Sequence, residues 1–276
     1  MPIVHAIVLG LVQGFAEFLP ISSSGHLLLV PWIFGWNDFA DQSIEKSFDV
    51  ALHLGTLVAV FSYFWRDLSK YVTRGTKLVF TRTKPVDPDG KIAWLFVLSA
   101  LPAAAVGAVA EDQIDSKLGT PGLIATSLIV FGLLLLWADQ RRGKRTVDDL
   151  ETADALKIGC AQILALNPGT SRSGITMTAA RLLGFSRDAA ARISFLMAVP
   201  VTTGAVALKL AKLAKDGVPE GLLTPMIVGV ITAAISGWVA VWGTLRLVRT
   251  HSFAPFVLYR IELAIFVFAL MIARIR

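Results

Sequence analysis

Residues 13–26 read Gln13-Gly14-Phe15-Ala16-Glu17-Phe18-Leu19-Pro20-Ile21-Ser22-Ser23-Ser24-Gly25-His26. A carboxylate, three hydroxyls and an imidazole stand here between the apolar runs 2–19 and 25–35. Hydrocarbon solvates such groups poorly, so inside a membrane segment they mark a functional site by default. Gln13 and Glu17 are four apart and share one helix face. Pro20 disfavours the α conformation at Leu19 and ends that helix. One of the three serines can cap a second helix, which places His26 in its first turn. A helix N-terminus with free N–H groups and a positive dipole end attracts anions, phosphate above all. Glu17 and His26 flank that point, which suits acid–base work, nucleophilic attack, or metal binding by the carboxylate.

The composition supplies the membrane. The 276 residues are 55% hydrophobic and only 17% charged, where a soluble domain carries about 25% charged residues. Mean hydropathy is +0.66. The net charge of +6 fits basic cytoplasmic loops better than a nucleic-acid surface, so no nucleic-acid partner is expected. The lone Cys160 excludes an intrachain disulfide and reads as a small core residue. The N-terminus has neither a basic leader nor a small-residue cleavage site, and reads as the first membrane element.

Six apolar segments approach the roughly 20 residues a span needs: 48–65, 91–110, 121–138, 189–211, 225–247 and 254–273. The segments around the polar stretches are shorter or broken by Pro and Gly, and read as re-entrant pairs, 2–35 and 155–185. Basic connections run over 66–91 and 139–157, whereas 36–47 and 111–119 read as acidic loops with Asp38, Asp41, Glu45, Glu111, Asp112 and Asp115. The positive-inside rule puts the basic pair in the cytoplasm and the acidic pair outside. Lys209, Lys212, Lys215, Arg274 and Arg276 run against that orientation. The expected architecture is all-α and integral to the membrane, one domain over 1–276. Its two halves, 1–138 and 154–276, form an inverted-topology repeat, each a re-entrant pair followed by three spans. Segment 67–83 is basic with apolar residues interspersed, and reads equally as a surface helix or a solvated loop. Gly and Ala in 99–108 and Gly, Ala and Ser in 233–243 suit close helix packing or a homodimer face.

A second polar stretch, Asn167-Pro168-Gly169-Thr170-Ser171-Arg172-Ser173-Gly174, mirrors the first. Gln13 to Gly25 and Gln162 to Gly174 are both 12 positions, and both end in Ser-x-Ser-Gly. Gly169 lets the backbone approach closely. Thr170, Ser171 and Ser173 offer hydroxyls. Arg172 presents a planar fork to a phosphate and would stabilise the charge of phosphoryl transfer. The bland alternative is that each hydroxyl only bonds backbone, as serine and threonine often do in membrane helices. Glu17, His26 and Arg172 resist that reading because ionisable groups are expensive there. Arg260 reads as structural or substrate-supporting, His53 as a local pair with Asp49, and Glu262 is left open.

On Gln13-Gly14-x-x-Glu17-Phe18-Leu19-Pro20-x-Ser22-Ser23-Ser24-Gly25-His26 and Pro168-Gly169-x-Ser171-Arg172-Ser173-Gly174, the chain resembles the bacterial undecaprenyl-diphosphatases, which are also named for bacitracin resistance. Phe61 to Trp65 with Arg66, and Ser194-Phe195-Leu196-Met197-Ala198-x-Pro200, extend the likeness over essentially the whole length. The resemblance implies removal of the terminal phosphate of undecaprenyl diphosphate, returning the monophosphate carrier to peptidoglycan synthesis. It implies a bacterial plasma-membrane protein with an inverted-repeat fold and a site open to the outer face. It also implies a divalent cation, Mg or Ca, with Glu17 as a ligand. The family's acidic motif falls on Gln13 and Glu17, its essential histidine on His26, its phosphate-binding arginine on Arg172 and its proposed reactive serine on Ser23. With Gln13 in place of a carboxylate, Glu17 carries any carboxylate role alone. Gln13, Ser22, Ser24, Gly169, Thr170, Ser171 and Ser173 are then substrate-binding candidates. The attacking group is left open among Ser23, His26 and water.

Two rival functions share parts of this pattern. An acid-phosphatase-type lipid phosphatase needs a histidine where Thr178 stands. A proton-coupled transporter or flippase of an anionic lipid or small anion would use the same inverted repeats and broken helices.

Overall fold

The computed structural model describes residues 1–39, 42–81, 86–218 and 221–275, with backbone alone at 42–43, 110–117, 212, 214 and 216. Asp41, Arg82, Lys84 and Arg276 of the charge argument lie outside the described residues, as do the side chains of Glu111, Asp112, Asp115 and Lys212. Helices account for the architecture. They are α1 (Ile3–Phe18), α2 (Ser23–Phe34), α3 (Gln42–Tyr63), α4 (Trp65–Thr81), α5 (Pro88–Leu118), α6 (Pro121–Asp139), α7 (Thr152–Gln162), α8 (Arg172–Leu182), α9 (Arg187–Asp216), α10 (Leu223–Val248) and α11 (Ala254–Ile272).

Among the described residues five helices are long and apolar enough to cross a membrane: α5 to Val109, α6, α9 to Ala211, α10 and α11. They expose large apolar side chains such as Leu208, Ile235, Trp238, Ile265 and Ile272. Exposed faces of that kind are matched by lipid and not by water. The chain is an integral membrane protein with several spans. The sixth expected span, 48–65, lies in α3, which ends at Tyr63 and bends by 86° into α4. The described part of segment 67–83, residues 67–81, is therefore helix and not loop. α4 is tied to the start of α5 by Lys70 Nζ to Asp89 Oδ1 at 2.7 Å and Arg74 Nη1 to Asp87 Oδ2 at 3.3 Å.

Helix ends differ from the expected loops in a consistent way. α3 starts at Gln42 and so includes Glu45, and α5 runs on to Leu118 through the stretch read as an acidic loop. Charged residues do not break a helix, and nothing between Glu111 and Leu118 does so either; Gly119 and the Pro121 start of α6 end it. α5 begins at Pro88, with the Asp87 side chain capping Gly90 N at 3.1 Å. Cys160 is exposed and not a core residue. α7 buries Asp154, Ala155, Ile158, Gly159 and Gln162, and Cys160 falls on the other face.

α10 packs against α1 and α3, α7 against α5, α11 against α6, and α8 against α6 and α9. Small residues set the closest approaches. A Cβ at Gly10 of α1 would sit 2.7 Å from the Gly229 carbonyl oxygen, and one at Gly159 of α7 would sit 2.4 Å from that of Ser99. Ala233, Ser236 and Ala240 of α10, part of the small-residue stretch in 233–243, are buried within this one chain. In the core Phe18 and Phe195 meet edge to face, ring centroids 5.3 Å apart. This fixes the end of α1 against α9.

Candidate active site

The two polar turns meet. α1 stops at Phe18 because Leu19 is extended (ψ 142°) ahead of Pro20. Ser22 then takes φ 79°, and its Oγ caps α2 by accepting Gly25 N–H at 3.3 Å. Ser171 does the same for α8, with φ 75° and Oγ accepting Gly174 N–H at 3.1 Å. A positive φ on a serine costs of order 1–3 kcal/mol and persists where the surroundings over-determine it. Here they do. The same Ser22 Oγ accepts Gly169 N–H at 3.0 Å, and Ser173 Oγ donates to Leu19 O at 3.0 Å. Gly169, at φ 92°, lies so close to α6 that a Cβ would be 2.6 Å from Ile124 O.

Arg260 of α11 completes the joint. It is fully buried and donates to five backbone carbonyls: Pro20, Ser127, Leu128, Gly169 and Thr170, at 2.9–3.3 Å. One guanidinium thus bonds carbonyls of both turns and two carbonyls of α6, which gives the buried cation its partners. The sequence singled Arg260 out only as structural or supporting, because its partners are backbone atoms scattered over 150 positions of chain.

Above the joint lies a cavity of about 270 Å³. Of the expected site residues, Glu17, Ser22, Ser23, Ser24, Ser171 and Arg172 line it; Gln13, His26, Gly169, Thr170 and Ser173 do not. Glu17 is its single lining carboxylate among the described residues. Ser23 Oγ donates to Glu17 Oε2 at 2.6 Å, Gln13 Nε2 donates to the same oxygen at 3.2 Å, and Arg172 Nη2 donates to Oε1 at 3.1 Å. Arg172 also donates from Nη1 to Ser194 O at 3.2 Å, while its Nε has no partner among the described residues. His26 is turned away from the cavity. Its Nδ1 donates to Ser22 O at 2.7 Å and its Nε2 meets Tyr259 Oη at 2.8 Å.

Against this geometry the comparisons with known proteins are specific. The family model described as Bacitracin resistance protein BacA matches residues 6–266. The chain belongs to this family. It is 46% identical over 266 residues to a protein of Geobacter metallireducens named undecaprenyl-diphosphatase, covering 93% of this chain and 94% of the relative. Proteins of the same name from Moorella thermoacetica and Geobacter sulfurreducens are each 45% identical, over 98% and 99% of this chain and 98% and 100% of their own lengths.

For a member of this family two residues of the cavity stand out that the motifs do not contain. His53 of α3 donates from Nδ1 to Asp49 O at 2.8 Å and brings Nε2 to 3.7 Å from Glu17 Oε2. The local pairing with Asp49 is made to the backbone carbonyl, and the ring also lines the cavity. The available signal was an ionisable ring inside an apolar span. Gln162 also lines the cavity, at the end of α7. Chemically, the site offers Ser23 hydrogen-bonded to a carboxylate, an arginine beside both, and the N-termini of α2 and α8. That set can bind a phosphate and move a proton off a hydroxyl.

Among the described residues no three His, Cys, Asp or Glu side chains converge. An all-protein cage is therefore not formed by them, and the set fits only an ion that takes most of its ligands from substrate and water.

Proposed function

We propose that this protein removes the terminal phosphate of undecaprenyl diphosphate, giving undecaprenyl phosphate and inorganic phosphate and returning the lipid carrier to cell-wall synthesis. The name carried by its full-length relatives supplies the substrate. The observation that carries the reading on this chain is Glu17, held between Ser23 at 2.6 Å and Arg172 at 3.1 Å on the wall of one cavity.

In this reading the diphosphate enters at Arg172 and at the N-termini of α2 and α8, and the free Arg172 Nε–H is one donor for it. Ser23 Oγ attacks the terminal phosphorus while Glu17 takes its proton. The bridging P–O bond breaks, and its electron pair leaves on the lipid monophosphate. Glu17 hands that proton to the departing monophosphate. Water then attacks the phosphoserine with Glu17 again as base, the Ser23 Oγ–P bond breaks, Ser23 Oγ takes the proton back from Glu17, and inorganic phosphate departs. Attack by water oriented on Glu17 uses the same groups. A divalent cation, Mg or Ca, would take Glu17 as its protein ligand, complete its shell with phosphate oxygens and water, and supply neutralisation of phosphate charge. His26 supports the N-terminus of α2 through Ser22.

The halves 1–138 and 154–276 are inverted repeats with re-entrant pairs α1–α2 and α7–α8. One offset of 149 positions relates Gly10 to Gly159, Gln13 to Gln162, Ser22 to Ser171 and Gly25 to Gly174. Both serines share the rare positive φ. The first helix of each half packs on the second long helix of the other, Gly10 on α10 and Gly159 on α5. All four short helices, at 11 to 16 residues, fall below the roughly 20 a span needs. The cavity is lined by His53 at the middle of α3 and by Ala104 and Ala205, which lie just past the middle of α5 and α9 counted from the ends nearer the basic connections 66–91 and 139–157. In a bacterial plasma membrane this opens the site to the outer side.

The experiment is direct. Protein purified in detergent and given a polyprenyl diphosphate releases inorganic phosphate. No release, with the same protein moving an anionic lipid across liposomes, overturns the reading in favour of transport.

A further inference from the structure

Gln162 ends α7, and Leu166 follows four residues later. In the first half Gln13 has Glu17 at that spacing and donates to it at 3.2 Å. Leu166 offers no acceptor. Gln162 is only 2% exposed, yet neither its Nε2 nor its Oε1 has a hydrogen-bond partner among the described residues. It lines the cavity that also holds Glu17, Ser23 and Arg172. The Nε–H of Arg172, in the same wall, is likewise without a partner. A buried amide with both ends unpaired is costly, and lipid cannot satisfy it. The missing partner must accept from Nε2 and donate to Oε1. A phosphoryl group accepts, and a protonated phosphoryl oxygen or a water beside it donates.

We propose that Gln162 is a substrate-binding residue for the diphosphate head group. Nε2 donates to a phosphoryl oxygen, and Oε1 accepts from a protonated phosphoryl oxygen or from a water held next to it. Ser23 and Glu17 reach the head group from the N-terminal half of the chain, and Gln162 and Arg172 from the C-terminal half. This rests on the phosphatase reading for the identity of the ligand.

The test compares Gln162→Leu, Gln162→Glu and wild type in detergent, by phosphate release from a polyprenyl diphosphate and by melting with and without inorganic pyrophosphate. Leucine is close in size and removes the orphaned amide, so the ligand-free protein melts no lower than wild type. Its kcat/KM falls about 10- to 100-fold, the loss expected for hydrogen bonds to a charged group. Glutamate keeps the acceptor but sets a negative charge against the phosphate, and loses at least as much. Both variants lose most of the melting shift that pyrophosphate gives wild type. A folded variant with near-wild-type kcat/KM and an undiminished pyrophosphate shift overturns the proposal. So does a leucine variant whose rate falls only in step with its ligand-free melting temperature. Should the leucine variant not fold, the glutamate variant carries the comparison. A wild type that releases no phosphate sinks the phosphatase reading instead, and the pyrophosphate shift then decides the role of Gln162 alone.

Discussion

The hydroxyl of Ser22 accepts two backbone N–H groups, Gly25 at 3.3 Å in its own helix and Gly169 at 3.0 Å in the opposite half of the chain. A single oxygen therefore caps α2 and docks the second polar turn onto the first. Ser22→Ala leaves the buried Gly169 N–H without a partner and removes the cap. We expect a loss of about 1–3 kcal/mol in stability, read as a lower melting temperature in detergent. An unchanged melting temperature would mean that Arg260 and the Ser173–Leu19 bond suffice to hold the joint.

Arg172 needs its fork. Nη2 reaches Glu17 and Nη1 reaches Ser194 O, leaving Nε for a ligand. A lysine keeps the charge but cannot make these contacts together. Arg172→Lys should cost about 10²–10³ in kcat, as for loss of a transition-state donor, and Arg172→Ala at least as much, both with folded protein. A lysine variant near wild-type rate removes the fork from the mechanism.

Glu17 separates two roles. Glu17→Gln keeps one acceptor oxygen, for either Ser23 or Arg172 but not at both of the positions they now use, and is a poor base and a poor metal ligand. Most phosphate release should vanish, and the response of the residual rate to added Mg or Ca should weaken. If the rate collapses while the metal response is unchanged, Glu17 acts as a base and not as a ligand.

His26 is 6% exposed and held between Ser22 O and Tyr259 Oη. His26→Ala should therefore lower the melting temperature together with turnover, because the imidazole supports the Ser22 turn. Lost turnover with unchanged melting would put the ring on the substrate instead of beneath it.

Far from the cavity, buried Asp139 binds Arg187 at 2.6 Å and 3.0 Å, lies 3.4 Å from Arg181 Nε, and accepts Phe253 N–H at 3.1 Å. Arg181 is 4% exposed and also donates to Phe185 O and Arg141 O. Asp139→Ala strands that buried cation and should destabilise the fold by about 3–5 kcal/mol, measured by denaturation, with little change in kcat of the folded fraction.

Much of this was legible in the residues alone. Pro20 after Leu19 ended α1 where expected, a serine capped the next helix, and hydropathy located five long apolar helices and a sixth apolar segment in the bent pair α3–α4, because these depend on local sterics and on the mismatch between polar groups and lipid. Charge read as loop was misleading at 111–118, since acidic residues end no helix by themselves. The pairing of Glu17 with Arg172 is 155 positions long. Motif spacing suggested that the two turns belong together, but only the packed helices bring them within 3.1 Å. The five carbonyls on Arg260, the rotation of His26 away from the cavity, the arrival of His53 beside Glu17 and the unpaired amide of Gln162 were all decided in three dimensions. The sequence by itself determined that polar groups must be hidden from lipid, through the composition and placement of residues 13–26 and 167–174. Which of those groups face each other, which support the backbone and which are left for a ligand depended on tertiary packing, because hydrogen-bond partners in a bundle are chosen by distance in space and not along the chain.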